Sequence, residues 1–159
     1  MVWASTRIKR NAARAFEREE IETPEFSLIK PDGFLAMAEP PGGLLFSAYS
    51  KEFGTGEAES IRRATAEIAV IPASSLDEAV ELAKAGAAQI VEATTGMVDG
   101  KRFAYLVAET TVNGIKRTVF TKSFLKEFAA VQLTATCLAD HSPELAPKLE
   151  EMLASFALK

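Results

Sequence analysis

Apolar and polar residues alternate over Phe26–Lys30, with Phe26 and Leu28 on one side, and the run stops at Pro31-Asp32-Gly33. A period of two predicts a strand with one covered face, closed by a turn. Phe34–Glu39 and Leu44–Ser50 read as two further strands, split by the breaker Pro40-Pro41-Gly42-Gly43. Lys51–Arg63 is polar and glycine-containing, which predicts a loop with room for one helical turn, and Thr65–Ile71 predicts a strand ended by Pro72. The period then lengthens. Ser75-Leu76-Asp77-Glu78 has the form of a capping box, in which the serine accepts from an early amide and the glutamate reaches back. Leu76, Val80, Ala83, Ala87 and Ile90 follow at helical spacing, predicting a helix over Leu76–Ala88.

Four β-branched, apolar-rich runs come next: Val91–Val98, Lys101–Val112, Ile115–Phe124 and Glu127–Leu138. Asp99-Gly100 and Asn113-Gly114 separate the first three, and both pairs suit two-residue hairpins that need positive φ. The prediction is an antiparallel meander. Phe103, Tyr105 and Val107 alternate with Ala104, Leu106 and Ala108, so this strand expects cover on both faces. Asp140-His141-Ser142-Pro143 offers caps for a last helix with the stripe Leu145, Leu149, Met152, Leu153 and Phe156; Pro147 sits in its first turn or delays its start. The expected fold is α+β: a twisted antiparallel sheet flanked by helices on both faces, an α/β/α sandwich. It comprises a single domain over residues 23–159, preceded by a basic amphipathic segment over residues 1–22. In that segment Ile8, Ala12, Ala15 and Phe16 predict a short helix stopped at Thr23-Pro24.

Composition narrows the function classes. The 159 residues carry a net charge of −4, which disfavours general nucleic-acid binding through phosphates. One cysteine and one histidine leave no internal disulfide and too few soft ligands for a zinc site. No cofactor is expected. No stretch of 18 apolar residues predicts a membrane span. A cytoplasmic location is the default; export or an organelle follows if a leader precedes this sequence or the basic N-terminus is itself a targeting segment.

Gly96–Tyr105, GMVDGKRFAY, superficially resembles a phosphate loop. The spacing is one residue short, Arg102 stands where a hydroxyl is needed, and a strand follows instead of a helix, so a hairpin is the better reading. Gly54-Thr55-Gly56 is weaker still. His141 beside Asp140 suits a general base, yet adjacent Ser142 reads as a helix cap instead of a nucleophile. Cys137 shares a face with Val131, Leu133 and Ala135 and reads as a small buried hydrophobe. Glu150-Glu151 and Asp77-Glu78-Glu81 read as solvated helix faces. Lys116, Arg117, Lys122 and Lys126 form a modest basic cluster whose expected role is solubility. Trp3, Arg7, Arg10 and Phe16 are the candidate contacts to a partner or an anionic membrane surface.

The pattern F-x-L-x-x-P-x-G-F at Phe26–Phe34, the S-L-D-E-A helix at Ser75–Ala79, the paired hairpins and the Ser155-Phe156 ending together resemble the PsbP-like fold. That fold is shared by the extrinsic photosystem II subunit, the yeast Ran-binding Mog protein, bacterial lipoproteins and secretion-associated adaptors. The resemblance covers Glu25–Lys159 and implies structural roles for Phe26, Pro31, Gly33, Phe34 and Ser155-Phe156. It implies a non-catalytic module that binds a protein partner or steadies an assembly; separately, a sheet edge or the N-terminal helix makes a homodimer an option. The alternative is a small-molecule or lipid carrier with a cavity between sheet and helix, lined by Phe34, Phe46 and Tyr105.

Overall fold

Two tight turns set the register of the main sheet. Asp99 and Gly100 have φ of 50° and 78°, and Asn113 and Gly114 have 52° and 79°, the positive pairs of a type I′ hairpin. Val98 therefore faces Lys101, and Val112 faces Ile115. In the computed structural model, which describes residues 15–159, these turns join β6 (Gln89–Val98), β7 (Lys101–Val112) and β8 (Ile115–Lys126). A third turn, not foreseen, separates β8 from β9 (Ala129–Leu138): Glu127 takes φ 60° and Lys126 pairs with Ala129. The expected run Glu127–Leu138 thus loses its first two residues to the turn.

The remaining strands are β1 (Glu19–Glu22), β2 (Phe26–Lys30), β3 (Phe34–Ala36), β4 (Phe46–Ser50), β5 (Ala64–Pro72) and β10 (Ala157–Leu158). The helices are α1 (Leu76–Lys84) and α2 (Ser142–Ser155). The order β3-β4-β5-β9-β8-β7-β6 makes an antiparallel seven-stranded sheet, and β1-β2-β10 a small second one. The fold is mixed α+β, mostly antiparallel sheet with two helices.

Several expectations change. Glu19–Glu22, assigned to the N-terminal amphipathic segment, is extended and pairs with β2, because Lys30, Ile29, Leu28 and Ser27 offer it a free edge. Trp3, Arg7 and Arg10 lie outside the described residues. Phe34–Glu39 forms a strand only to Ala36. The helix after Ser75 ends at Lys84, short of Ala88, because the chain must turn at Gly86 to enter β6. Ser75 Oγ does accept from the Glu78 amide at 3.1 Å, but the Glu78 carboxylate reaches Ser74, accepting from its amide at 2.9 Å and its hydroxyl at 2.7 Å. Ser142 is not a cap: α2 grows out of a 3-10 turn at Ala139–His141, so His141 occupies the cap position without a side-chain bond. Pro147 is accommodated inside α2 on its exposed side.

Two clusters make the core, and they use alternate positions of the same strands. Val131, Leu133, Ala135, Phe120 and Phe124 pack with Leu145, Leu149, Met152, Leu153 and Phe156 of α2. Ala130, Leu125 and Ile71 pack with Ala79 of α1. The residues that carried the resemblance hold the first cluster to the small sheet. Phe26 meets Phe46 and Phe156 edge-on, each at 6.3 Å. Ser155 Oγ accepts from the Ile29 amide at 2.8 Å and donates to the Met152 carbonyl at 2.9 Å, tying α2 to β2. Gly33, at φ 87°, donates its amide to the Phe16 carbonyl.

Gly96 stands opposite Phe103, whose ring lies over it. A Cβ at Gly96 falls 2.5 Å from Phe103 Cζ. Gly96→Val is expected to destabilise the protein by about 1–3 kcal/mol through this overlap. Urea unfolding measures it, and adding Phe103→Ala recovers part of the loss. Equal stability of Gly96→Val and wild type contradicts the packing.

Candidate functional site

β6, β7 and β8 carry one face of the sheet past the edge of α2, and a groove of about 600 Å³ opens between them. Its walls are Glu92 and Thr94 of β6, Phe103 and Tyr105 of β7, and Glu150, Leu153 and Ala154 of α2; Met97 and Val98 close the end nearest the hairpin turn. Tyr105, one of the three residues expected to line a cavity, belongs to it. The other two do not join it. Phe34 and Phe46 are buried in the core, and Phe34 touches only a smaller pocket of about 120 Å³ beside Asp32, Glu52 and Lys148. Phe16 is half-buried away from the groove, its carbonyl accepting from Gly33 and the Lys51 ammonium 5.6 Å from its ring centroid.

The floor of the groove is a lysine. Lys122 faces Tyr105 across β7–β8 and Leu133 across β8–β9, so its position is a core position between Phe120 and Phe124. It is 2% exposed. Its Nζ donates to the carbonyls of Leu153 at 2.8 Å and Phe156 at 2.9 Å, and lies 4.5 Å from the Phe103 ring centroid and 5.5 Å from that of Phe124. The expectation that it serves solubility is wrong. α2 ends in an extended residue, Phe156, with no glycine to form a left-handed cap, so its last carbonyls need donors from elsewhere. Lys122 supplies them and places a cation at the negative end of the helix. Burial pushes its ammonium down to about 8.

The other ionisable groups around the groove divide by role. Burial pushes the Tyr105 phenol up to about 12, with the Glu150 and then the Glu92 carboxylates adding to the effect. The phenol is therefore a neutral hydrogen-bonding group at physiological pH. Glu150, expected on a solvated helix face, borders the groove. Among the described residues neither Glu92 nor Glu150 takes part in an ion pair.

The remaining sequence candidates fall elsewhere. Cys137 is buried; burial raises its thiol, against lowering hydrogen bonds from Ser142 and the Thr118 backbone. Asp140 borders a separate shallow pocket with Gly56 and Lys116. The glycines of GMVDGKRFAY serve a close approach under Phe103 and a hairpin turn. A second buried lysine escaped the sequence reading: Lys30 donates to the carbonyls of Ala15 at 3.0 Å, Glu17 at 2.6 Å and Phe34 at 2.6 Å. In both cases the signal was a cation at the apolar parity of a strand.

Comparison of the whole chain with known structures decides the architecture. LpqN of Mycobacterium tuberculosis, described as involved in cell envelope biogenesis, superposes with a TM-score of 0.66 at 17% identity, over 90% of this chain and 91% of that one. The cyanobacterial PsbP protein CyanoP of Synechocystis superposes with a TM-score of 0.58 at 13% identity, over 90% and 92%. The chain has a PsbP-like fold. A Bacteroides thetaiotaomicron protein with a TM-score of 0.51 and 17% identity is matched over 84% of this chain but only 45% of its own length. No protein-family model matches the sequence, and no curated protein does. The likeness is thus one of architecture.

The two shifted groups give opposite pH dependences. Below about pH 8 Lys122 is charged in both folded and unfolded chains, and its desolvation penalty is fully present. Between about 8 and the ordinary 10.5 the unfolded chain binds the extra proton, so stability rises with pH. Tyr105 keeps its proton when folded from 10 to about 12, so its contribution is lost as pH rises through that range. Urea midpoints should climb from pH 8 to 10 and turn over above it, the climb being on the order of 2 kcal/mol. Lys122→Met flattens the climb and Tyr105→Phe softens the fall. An unchanged slope in Lys122→Met rules the assignment out.

Proposed function

We propose that this chain is a non-catalytic binding module that holds a protein partner or steadies an assembly, with its sheet covered by one helix on each face. The observation that carries this reading is the state of the groove's ionisable groups. The lysine is engaged as a helix cap, the tyrosine keeps its proton, and two carboxylates stand ready for a cationic or polar partner. Lys122, although its pKa is lowered to about 8, is buried with its ammonium committed to the Leu153 and Phe156 carbonyls, whereas general acid–base work wants a group within reach of a reacting proton. The fold-mates are compatible with it: one is a cyanobacterial PsbP protein and the other is described as involved in cell envelope biogenesis. Among the described residues no helix is long and apolar enough to cross a membrane. A role like that of LpqN favours an exported setting over the cytoplasmic default.

The carrier reading retains one supporting observation, the volume of the groove. Phe103, Leu153, Met97 and Val98 give it apolar surface. Its open side and its two carboxylates fit a protein surface better than an enclosed apolar ligand.

Crosslinking the tagged chain in its source cells, followed by native mass measurement, tests the module reading. The expected result is one partner at fixed stoichiometry. Ala154→Arg, which fills the α2 wall of the groove, should reduce its recovery by about tenfold. If the wild-type chain captures no partner at fixed stoichiometry, the reading fails.

A further inference from the structure

Among the described residues the two sheets present four edges, and three of them are guarded. β3 is three residues long and β10 two. β1 carries Glu19, Glu20 and Glu22. Short strands and charges are the usual protection against an added strand. β6 is the least guarded: Gln89–Val98 runs ten residues with a single charge, Glu92, and no lysine, arginine or proline. Its one irregularity lies between Ile90 and Glu92, which leaves Glu92–Val98 in unbroken register with β7. Val91 is 55% exposed and Met97 64%.

The free hydrogen-bonding groups of this edge can be assigned. The Asp99-Gly100 turn makes Val98 and Lys101 a hydrogen-bonded pair. Antiparallel pairs then alternate, so Val98, Gly96 and Thr94 bond to β7 while Met97, Thr95 and Ala93 turn their amides and carbonyls outward. On the groove side the same strand presents Glu92 and Thr94, with Glu150 across from them on α2. A second copy of the chain added here would bring like carboxylates onto one face, so a cationic segment is the better match.

Building on the binding-module reading, we infer that β6 accepts a strand from the partner protein: an extended segment spanning Glu92–Val98 that alternates lysine or arginine with apolar residues. The backbone of the segment pairs with Ala93, Thr95 and Met97. Its cationic side chains stand beside Glu92 and reach over β6 toward Glu150, while its apolar side chains cover the other face of the strand, at the positions of Ala93 and Thr95. Main-chain bonds supply affinity, and the acidic wall supplies selectivity.

The test uses the full chain and a fluorescein-labelled peptide of about eight residues, long enough for one strand, alternating lysine and valine. Two peptides serve as controls: one alternating glutamate and valine, and one with the lysine–valine sequence but alternate amides N-methylated, which keeps the charge and removes the pairing. Anisotropy should show binding of the lysine–valine peptide. N-methylation and Glu92→Lys should each weaken it by about tenfold or more, and the glutamate–valine peptide should not bind. Equal binding of the methylated peptide overturns strand addition. Equal binding of the acidic peptide, or no binding at all, overturns the inference as well, as does a dimer in solution from which the peptide is excluded. Thr95→Pro separates the two levels, because its lost amide points away from β7. A captured partner retained undiminished by Thr95→Pro sinks the β6 site while leaving the module reading intact; capture of no partner by wild type sinks the module reading itself.

Discussion

The contact on which the site depends is one ammonium group against the end of one helix. α2 leaves its last carbonyls over the sheet and passes straight into β10, with no glycine to curl back and satisfy them. Lys122 rises from β8 to take the carbonyls of Leu153 and Phe156. A cation in this partly buried geometry contributes up to about 2 kcal/mol, set against the desolvation that pushes its pKa down. The contact fixes how far α2 extends across β8 and β7, and therefore where the groove begins. The Phe103 and Phe124 rings shield the ammonium, and Phe124 meets Phe156 edge-on at 5.4 Å. Helix end, sheet and aromatic core are thus joined at one point.

A second buried lysine, Lys30, also commits its ammonium to backbone carbonyls. It collects the carbonyls of Ala15 and Glu17, just before β1, and of Phe34 at the start of β3. Burial lowers its pKa, while Glu19, Asp32 and Glu17 oppose that shift. Both lysines bring three-donor heads to irregular backbone, where a hydroxyl or amide could satisfy fewer acceptors. The arrangement lets a chain with few helices and many strand ends bury those ends without leaving carbonyls unpaired.

The sheet was legible from residue pattern because its signals are local. Asp99-Gly100 and Asn113-Gly114 demand positive φ, and Ser75 with Glu78 marks the start of α1. Phe26 and Ser155-Phe156 proved to be the joints between α2 and the small sheet. What could not be read depends on contacts distant in sequence. Glu19–Glu22 has no strand propensity of its own and is extended because β2 offers an edge. Lys122 looked like a solvent-facing cation because its two partners lie 31 and 34 residues away. Phe34 and Phe46 looked available to a cavity, but Phe46 packs on Phe26 and the space opens instead where α2 stops short of β6. A lysine between Phe120 and Phe124, in a strand that opposes Leu133, was the clue that the pattern contained.

The groove and the unguarded β6 edge follow from the same geometry, since α2 is held over β8 and leaves β6 uncovered. The most direct measurement is native-state hydrogen exchange on wild type and Lys122→Met. If the lysine holds the end of α2, the variant loses protection in the last turn of α2 and in β10, while the amides pairing β5 with β9 and β8 with β9 stay protected. Unchanged exchange at Met152–Leu158 would contradict the claim that this one ammonium positions the helix.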